Sequence, residues 1–120
     1  MDYRKAIRPA DLARMEQNWI EQQPVKGTQK EKNFRPVVKV FNPCGPGTWL
    51  FTEKEPQSSL AFGLADLGQG TPELGYVCLE ELFDVKLIAG LHMEQDIHWD
   101  ADKTLSEYAT EARTLGYIKA

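Results

Sequence analysis

The sequence has few of the residues that build metal centres or disulfide frameworks. Its 120 residues include two cysteines, Cys44 and Cys78, and two histidines, and none of them has the spacing of a zinc site. A Cys44–Cys78 disulfide is possible, but nothing in the pattern supports it. We therefore expect no cofactor, and thiols that are reduced in a cytoplasm.

Long apolar runs are also absent. No segment approaches the roughly 20 apolar residues of a membrane span, and the first fifteen residues lack the apolar stretch of a secretory signal. No G-x-S-x-G segment is present to form a serine hydrolase elbow. These absences favour a cytoplasmic protein with no membrane contact, and they leave no familiar catalytic motif.

Positive charge is scarce outside the N-terminal part. Through Pro36 there are eight Lys and Arg residues against five acids, whereas the remainder has six bases and thirteen acids. The whole chain has a net charge of -4. Phosphate contacts need clustered cations. An acidic body therefore argues against binding nucleic acid over a broad face, while a local contact by the basic part stays open.

Helical periodicity marks both ends of the chain. Pro9 suits a first helical position, and Leu12, Met15 and Trp19, with Ile20 beside them, form one apolar stripe. This pattern predicts a helix over Pro9–Gln22. The residues from Val25 to Arg35 are polar and basic, and they predict an exposed loop.

The second terminal helix has clear boundary signals. Thr104 and Glu107 match the S/T-x-x-E capping box, and Gly116 stands where a left-handed C-terminal cap belongs. The pattern predicts a helix over 104–116. Its expected buried stripe consists of Leu105, Tyr108, Ala109, Ala112 and Leu115.

Extended segments fill the middle of the chain. Short links join the first four, which favours an antiparallel meander because parallel pairs need longer crossovers. A single helical turn follows over Glu80–Asp84, and alternation over Leu91–Trp99 predicts a fifth strand. The first four predicted strands are Pro36–Asn42, Thr48–Glu53, Leu60–Leu67 and Leu74–Leu79.

Together these elements predict an α+β fold: an antiparallel meander of about five strands, with N- and C-terminal helices packed on the sheet. The length fits one domain. We expect residues 1–120 to form it, with 1–35 as helix and basic loop, 36–99 as sheet and 104–116 as the last helix.

The middle and C-terminal parts of the chain contain the stretches PVVKVFNP, GTWLFTE, LAFGLADLGQGTPELGYVCLEEL, DIHW and LSEYATEA. Together these stretches resemble a bacterial family of small proteins of unknown function, often encoded on conjugative plasmids and integrative elements. The resemblance runs from about Phe34 to Ala112, and the N-terminal helix lies outside it. Trp99 stands where the family pattern has Phe. The resemblance implies a mobile-element setting and supplies no catalytic residue.

An acidic run offers one candidate interaction surface. Its members are Glu94, Asp96, Asp100 and Asp102. Such a run can mimic phosphates and occupy a basic groove on a partner protein, since complementary charge speeds association. The alternative is an ordinary solvated face.

The basic loop offers a candidate nucleic-acid contact. Its members are Lys26, Lys30, Lys32, Phe34 and Arg35. The cations suit phosphates and the Phe34 ring suits base stacking. Solvated loop lysines explain the same pattern without a ligand.

A third set could support chemistry. Asp66 and Glu73 flank a glycine loop, and His98 follows Asp96 closely; these groups can bind a cation or exchange protons. Asp66 can equally fix its loop by accepting backbone hydrogen bonds. His92 and His98, about 20 Å apart on a straight strand, cannot share one metal.

These observations favour a non-catalytic protein-interaction module of a mobile genetic element, such as an inhibitor of a host defence nuclease or a conjugation accessory. The alternative is a small metal-dependent hydrolase or nucleic-acid-processing enzyme that uses Asp66, Glu73, Asp96 and His98. The two differ in whether those four side chains converge in one cleft.

Overall fold

A five-stranded antiparallel sheet forms the centre of the protein, in the strand order β4-β3-β2-β1-β5. The structure is a computed structural model and describes all 120 residues. The elements in chain order are α1 (Tyr3–Ala6), α2 (Pro9–Gln22), β1 (Val38–Phe41), β2 (Thr48–Lys54), β3 (Leu60–Asp66), β4 (Glu73–Cys78), α3 (Leu79–Asp84), a 3₁₀ turn (Ile88–Gly90), β5 (Glu94–Gln95) and α4 (Leu105–Leu115). The predicted α+β class and the meander of β1 to β4 are confirmed.

The two long helices cover opposite faces of the sheet. Side chains alternate along β2, so Trp49 and Phe51 join a core with α1, α2 and α3, whereas Leu50 joins a smaller core with α4. Both faces of the central strands are therefore buried.

The helix boundaries follow the capping chemistry of the sequence. Pro9 occupies the first turn of α2. The Thr104 side chain accepts from the Glu107 amide while the Glu107 carboxylate accepts from the Thr104 amide, and Gly116 ends α4 with φ of 82°. These predicted ends are confirmed.

Gly63 allows β3 to approach β2 closely. A Cβ built at this position would lie 1.9 Å from the Leu50 carbonyl oxygen, a distance that no side chain tolerates. Any larger residue would therefore push the two central strands apart.

The fifth strand is much shorter than predicted. Only Glu94 and Gln95 pair with β1, opposite Phe41 and Val40, so the prediction of a strand over Leu91–Trp99 is wrong. The Asp96 carboxylate accepts from the His98 amide at 3.0 Å, and this local turn bends the chain away from β1.

Two predicted buried stripes are also partly wrong. Leu115 is 42% exposed and Ile20 is 55% exposed. In α2, Asn18 and Gln22 are buried where Ile20 is not, although both are polar. These two amides are buried because they bond to backbone groups of other segments, as described below.

Candidate functional site

A β-bulge in β2 is the starting point of the candidate site. The register between β2 and β3 shifts at Thr52, so that Phe51 pairs with Gly63 but Glu53 already pairs with Phe62. Thr52 is thus an extra residue in β2 with no partner in β3. Such a bulge bends the strand and redirects the side chains after it. The side chain amide of Asn18 donates to the Thr52 carbonyl at 2.9 Å, which satisfies the carbonyl at the bulge.

The bulge turns Glu53 towards the α4 side of the sheet. Glu53 therefore shares a face with Phe62, its partner on β3. The side chain of Glu53 enters a cavity of about 380 Å³, which we call the Glu53 pocket. The pocket is lined by Gln22, Lys26, Glu31, Lys32, Asn33, Phe34, Thr52, Glu53, Phe62, Leu74, Tyr76, Leu105 and Ser106.

Glu53 is a buried carboxylate with few internal partners. It is 7% exposed, its one hydrogen bond comes from the Thr52 hydroxyl at 3.4 Å, and it has no ion pair with a Lys or Arg within 4.0 Å. Burial raises the pKa of Glu53, while the Thr52 hydrogen bond, the charge of Lys26 and the Gln22 side-chain amide lower it in part. Most of the acceptor capacity of this carboxylate is unused by the protein.

Lys26 places a fixed positive charge at one end of the pocket. Its ammonium group donates a hydrogen bond to the Tyr76 hydroxyl and lies 5.0 Å from the centre of the Tyr76 ring and 5.9 Å from that of Trp19. The hydrogen bond that Lys26 donates to Tyr76 raises the pKa of Lys26, so the side chain is charged at neutral pH. Both rings therefore stabilise a cation here.

The loop between α2 and β1 forms one wall of the pocket. The Gln22 side chain donates to the Lys32 carbonyl at 2.7 Å and accepts from the Lys32 amide at 2.8 Å. Further along, the Leu105 amide donates to the Phe34 carbonyl at 2.9 Å. The segment predicted as an exposed loop is thus fixed to both α2 and α4.

The candidate nucleic-acid residues are only partly brought together. Lys26, Lys32 and Phe34 line the Glu53 pocket, whereas Lys30 and Arg35 lie outside it. The Lys32 ammonium pairs with Glu21 at 3.0 Å. Because Glu31 and Glu53 line the same cavity, the pocket has mixed charge and does not form a basic patch.

Half of the acidic run is engaged within the chain. The Tyr108 hydroxyl donates to Asp102 at 2.8 Å, and this bond, with the charge of Lys103, lowers the pKa of Asp102. Asp96 accepts from the His98 amide and lies 3.8 Å from the Lys39 ammonium. Glu94 and Asp100 have no hydrogen bond or ion pair from their carboxylates.

Asp66 fixes the backbone. It is 7% exposed and accepts from the amides of Gly68 at 2.8 Å and Ile118 at 3.0 Å. Glu73 pairs with Ala65, so its side chain points to the opposite face from Asp66. The two carboxylates that flank the glycine loop therefore do not face each other across the hairpin.

The four residues of the hydrolase hypothesis do not converge. Asp66 and Glu94 flank β2 and β1, through the pairs Asp66–Thr48, Thr48–Phe41 and Phe41–Glu94, which places their backbones about 14 Å apart. Asp96 and His98 lie beyond Glu94. No three His, Cys, Asp or Glu residues are grouped closely enough to hold a metal ion.

The remaining reactive side chains lie apart from the pocket. Cys44 is exposed and Cys78 is half-buried, and neither forms a disulfide. The Cys78 sulfur lies 3.2 Å from the Ser59 hydroxyl. The His92 ring contacts the Met93 carbonyl at 2.6 Å through Nδ1.

Glu53 itself is the residue that sequence reasoning missed. Regular alternation places Glu53 on the same face as Phe51, and the bulge that moves it is not visible in TWLFTEK. The available signal was the pair Glu53-Lys54, two charges that continue an apolar strand without a break.

An apolar groove lies on the α3 side of the sheet, next to β4. It has a volume of about 600 Å³ and is more open than the Glu53 pocket. We call it the β4 groove. Its lining residues are Asn42, Pro46, Trp49, Ala65, Leu67, Tyr76, Val77, Cys78, Glu81, Leu82, Val85 and Met93.

Fold and site together define a small α+β protein whose five-stranded sheet has a carboxylate pocket on one side and an apolar groove on the other. The chain belongs to the family described as a protein of unknown function, DUF2958, which matches residues 7–119. This match begins at Ile7, so the helix α2, which the resemblance left outside, is part of the family's common sequence.

Comparison with curated proteins and with solved structures finds no match to this chain. None of its helices combines the length and the apolar character needed to cross a membrane.

Proposed function

We propose that this protein is a non-catalytic protein-interaction module that binds a partner along the edge of β4 and in the β4 groove. The observation that carries the proposal is an open strand edge beside an exposed apolar groove. Extended segments add to such edges through backbone hydrogen bonds, and adjacent pockets select their side chains.

The edge of β4 has free backbone groups. The Leu79 amide donates to the Ser59 carbonyl, and antiparallel pairs alternate between bonded and non-bonded. With the register of β3 and β4, Leu74 and Tyr76 therefore direct their N–H and C=O groups away from β3. Glu73 is the only charged residue in this strand, so the edge lacks the charges that usually block pairing.

The groove supplies apolar contact area next to this edge. Leu67 is 59% exposed and Val85 is 45% exposed, and both lie in the β4 groove with Val77. Exposed apolar residues that cluster in this way are typical of interaction surfaces. A bound strand would cover them and complete the sheet.

The biological setting is part of the proposal. The resemblance to a family from conjugative plasmids and integrative elements supports a role in the bacterial cytoplasm, as an inhibitor of a host defence nuclease or as an accessory to conjugation. The net charge of -4 supports a basic partner.

The test is capture of a stoichiometric partner from bacterial lysate by a tagged copy. The double variant Leu67→Lys/Val85→Lys should reduce recovery about tenfold, because each lysine places a charge in an apolar contact. Ile88→Lys/Leu91→Lys is the matched control, since Ile88 and Leu91 are 80% and 44% exposed and lie outside the groove. Equal recovery with the groove variant and the control would contradict the proposal.

The acidic-run hypothesis is tested in the same assay. Glu94→Lys/Asp100→Lys reverses the two carboxylates without intramolecular partners, so the fold should be unchanged. If the groove is the main contact, recovery at low salt should fall less than about threefold. A larger loss than that of the groove variant would move the contact surface to the acidic run.

A further inference from the structure

Glu53 belongs to a row of three side chains across the sheet. Glu53 pairs with Phe62 on β3, and Phe62 pairs with Tyr76 on β4. Paired residues share a face, with strands about 4.8 Å apart. The carboxylate and the two rings therefore stand side by side in the Glu53 pocket.

The two ends of this row differ in their charge balance. At the Tyr76 end, the Lys26 ammonium lies over the ring and is held by the hydroxyl. At the other end, the Glu53 carboxylate has no cation within 4.0 Å and one long hydrogen bond. A buried carboxylate of this kind favours an added cation that can donate hydrogen bonds.

We propose that the Glu53 pocket binds a guanidinium group, supplied either by a free arginine-like molecule or by the arginine side chain of a peptide. A guanidinium donates two parallel N–H bonds to one carboxylate and stacks its plane on an aromatic ring. Glu53 and Phe62 supply these two partners side by side. An ammonium group has the same charge as a guanidinium group but no plane to stack on Phe62 and no pair of parallel N–H bonds for Glu53.

The other charges that face Glu53 are compatible with this ligand. Lys26 is held at the Tyr76 end, and Lys32 pairs with Glu21 at 3.0 Å. Glu31 lines the cavity and adds a second negative charge. The volume of about 380 Å³ accommodates an arginine side chain together with water molecules.

The test is calorimetric titration of the full chain with N-acetyl-arginine amide at low salt. Glu53→Gln should weaken binding at least about tenfold, since it removes the charge of the hydrogen-bond acceptor. Glu31→Gln is the matched control, because it makes the same charge change in the same cavity, and it should weaken binding less than about threefold. Phe62→Leu should weaken binding about fivefold through loss of stacking.

Circular dichroism melts of each variant separate loss of binding from loss of fold. Free arginine and an arginine-containing tripeptide distinguish the two sources of the guanidinium group. Tighter binding of free arginine would identify the ligand as a small molecule, and tighter binding of the tripeptide would identify it as a peptide side chain. The inference is overturned if N-acetyl-lysine amide binds as tightly as the arginine probe, or if Glu31→Gln weakens binding as much as Glu53→Gln.

Discussion

Glu53 and Lys54 are neighbours in β2, and both are buried, with exposed fractions of 7% and 3%. They point to opposite faces of the sheet because Glu53 pairs with Phe62 and Lys54 with Ala61. On the α2 side, the Lys54 ammonium lies 3.3 Å from a Glu16 oxygen and 2.8 Å from the Glu55 carbonyl. On the α4 side, Glu53 has only the Thr52 hydroxyl at 3.4 Å.

The two buried charges differ in the partners that the surrounding helices provide. The helix α2 carries Glu16 over Lys54, and the Tyr3 ring lies 5.7 Å from the same ammonium, so this charge is neutralised within the chain. The α4 side leaves a cavity over Glu53. Lys54 thus contributes to the fold through its partners, whereas Glu53, which has no ion pair, is the carboxylate that we propose binds a ligand.

The largest expected effect comes from removing the partner of Lys54. Glu16→Ala leaves a buried ammonium without its carboxylate, and we expect the free energy of unfolding to fall by about 2 kcal/mol; a fully buried pair would lose more, but Glu16 is partly exposed. Urea denaturation measures the change. Glu21→Ala, which breaks the exposed pair with Lys32, is the control and should cost less than about 1 kcal/mol.

The next effect concerns the bulge at Thr52, which sets the face of the sheet to which Glu53 and Lys54 each point. Asn18→Ala removes the donor to the Thr52 carbonyl, so we expect a loss of about 1.5 kcal/mol in unfolding free energy. A second effect should accompany it, namely weaker binding of the arginine probe, because the bulge directs Glu53 into its pocket. Normal stability and normal binding together would show that the bulge does not depend on Asn18.

A smaller effect, of opposite sign, is expected at Glu53. Because burial raises the pKa of Glu53, the folded state takes up a proton at a higher pH than the unfolded chain. The contribution of Glu53 to stability is therefore fully present below the ordinary Glu pKa of 4.5 and is lost as the pH rises through the folded pKa. Glutamine has no carboxyl group to ionise, so Glu53→Gln avoids the cost of a buried charge. The variant should therefore be about 1 kcal/mol more stable than the wild type at pH 7.

The stability difference between Glu53→Gln and the wild type should depend on pH, and this dependence tests its cause. Urea denaturation of both proteins should show the gain at pH 7 and its disappearance below pH 4, where both states carry a protonated Glu53. Glu94→Gln is the control, since the Glu94 carboxylate has no internal partner, and it should change stability by less than about 0.5 kcal/mol at either pH. A variant less stable than the wild type at pH 7 would show that the protein itself neutralises Glu53.

Local chemistry explains which elements the sequence could predict. Pro9, Thr104 and Gly116 mark helix ends through their own backbone and capping properties, so α2 and α4 have the bounds expected. The strands β1 to β4 agree to within two residues for a similar reason, since β-branched runs and turn residues alternate along the chain. These features depend on neighbours in sequence.

The parts that could not be predicted depend on contacts between distant segments. Alternation continues from Leu91 to Trp99, but β1 offers partners only to Glu94 and Gln95. The Glu53 pocket requires the bulge at Thr52, the loop fixed by Gln22, and the cavity beside α4. None of these leaves a periodic signal in the sequence.

The most direct measurement is the pKa of Glu53, read from the ¹³C chemical shift of its side-chain carboxyl during an NMR pH titration. A buried carboxylate without a cationic partner should titrate above 4.5, and saturation with N-acetyl-arginine amide should lower that pKa. Titration of Glu53 at or below 4.5 in the free protein would contradict the claim that this charge is left without a cationic partner.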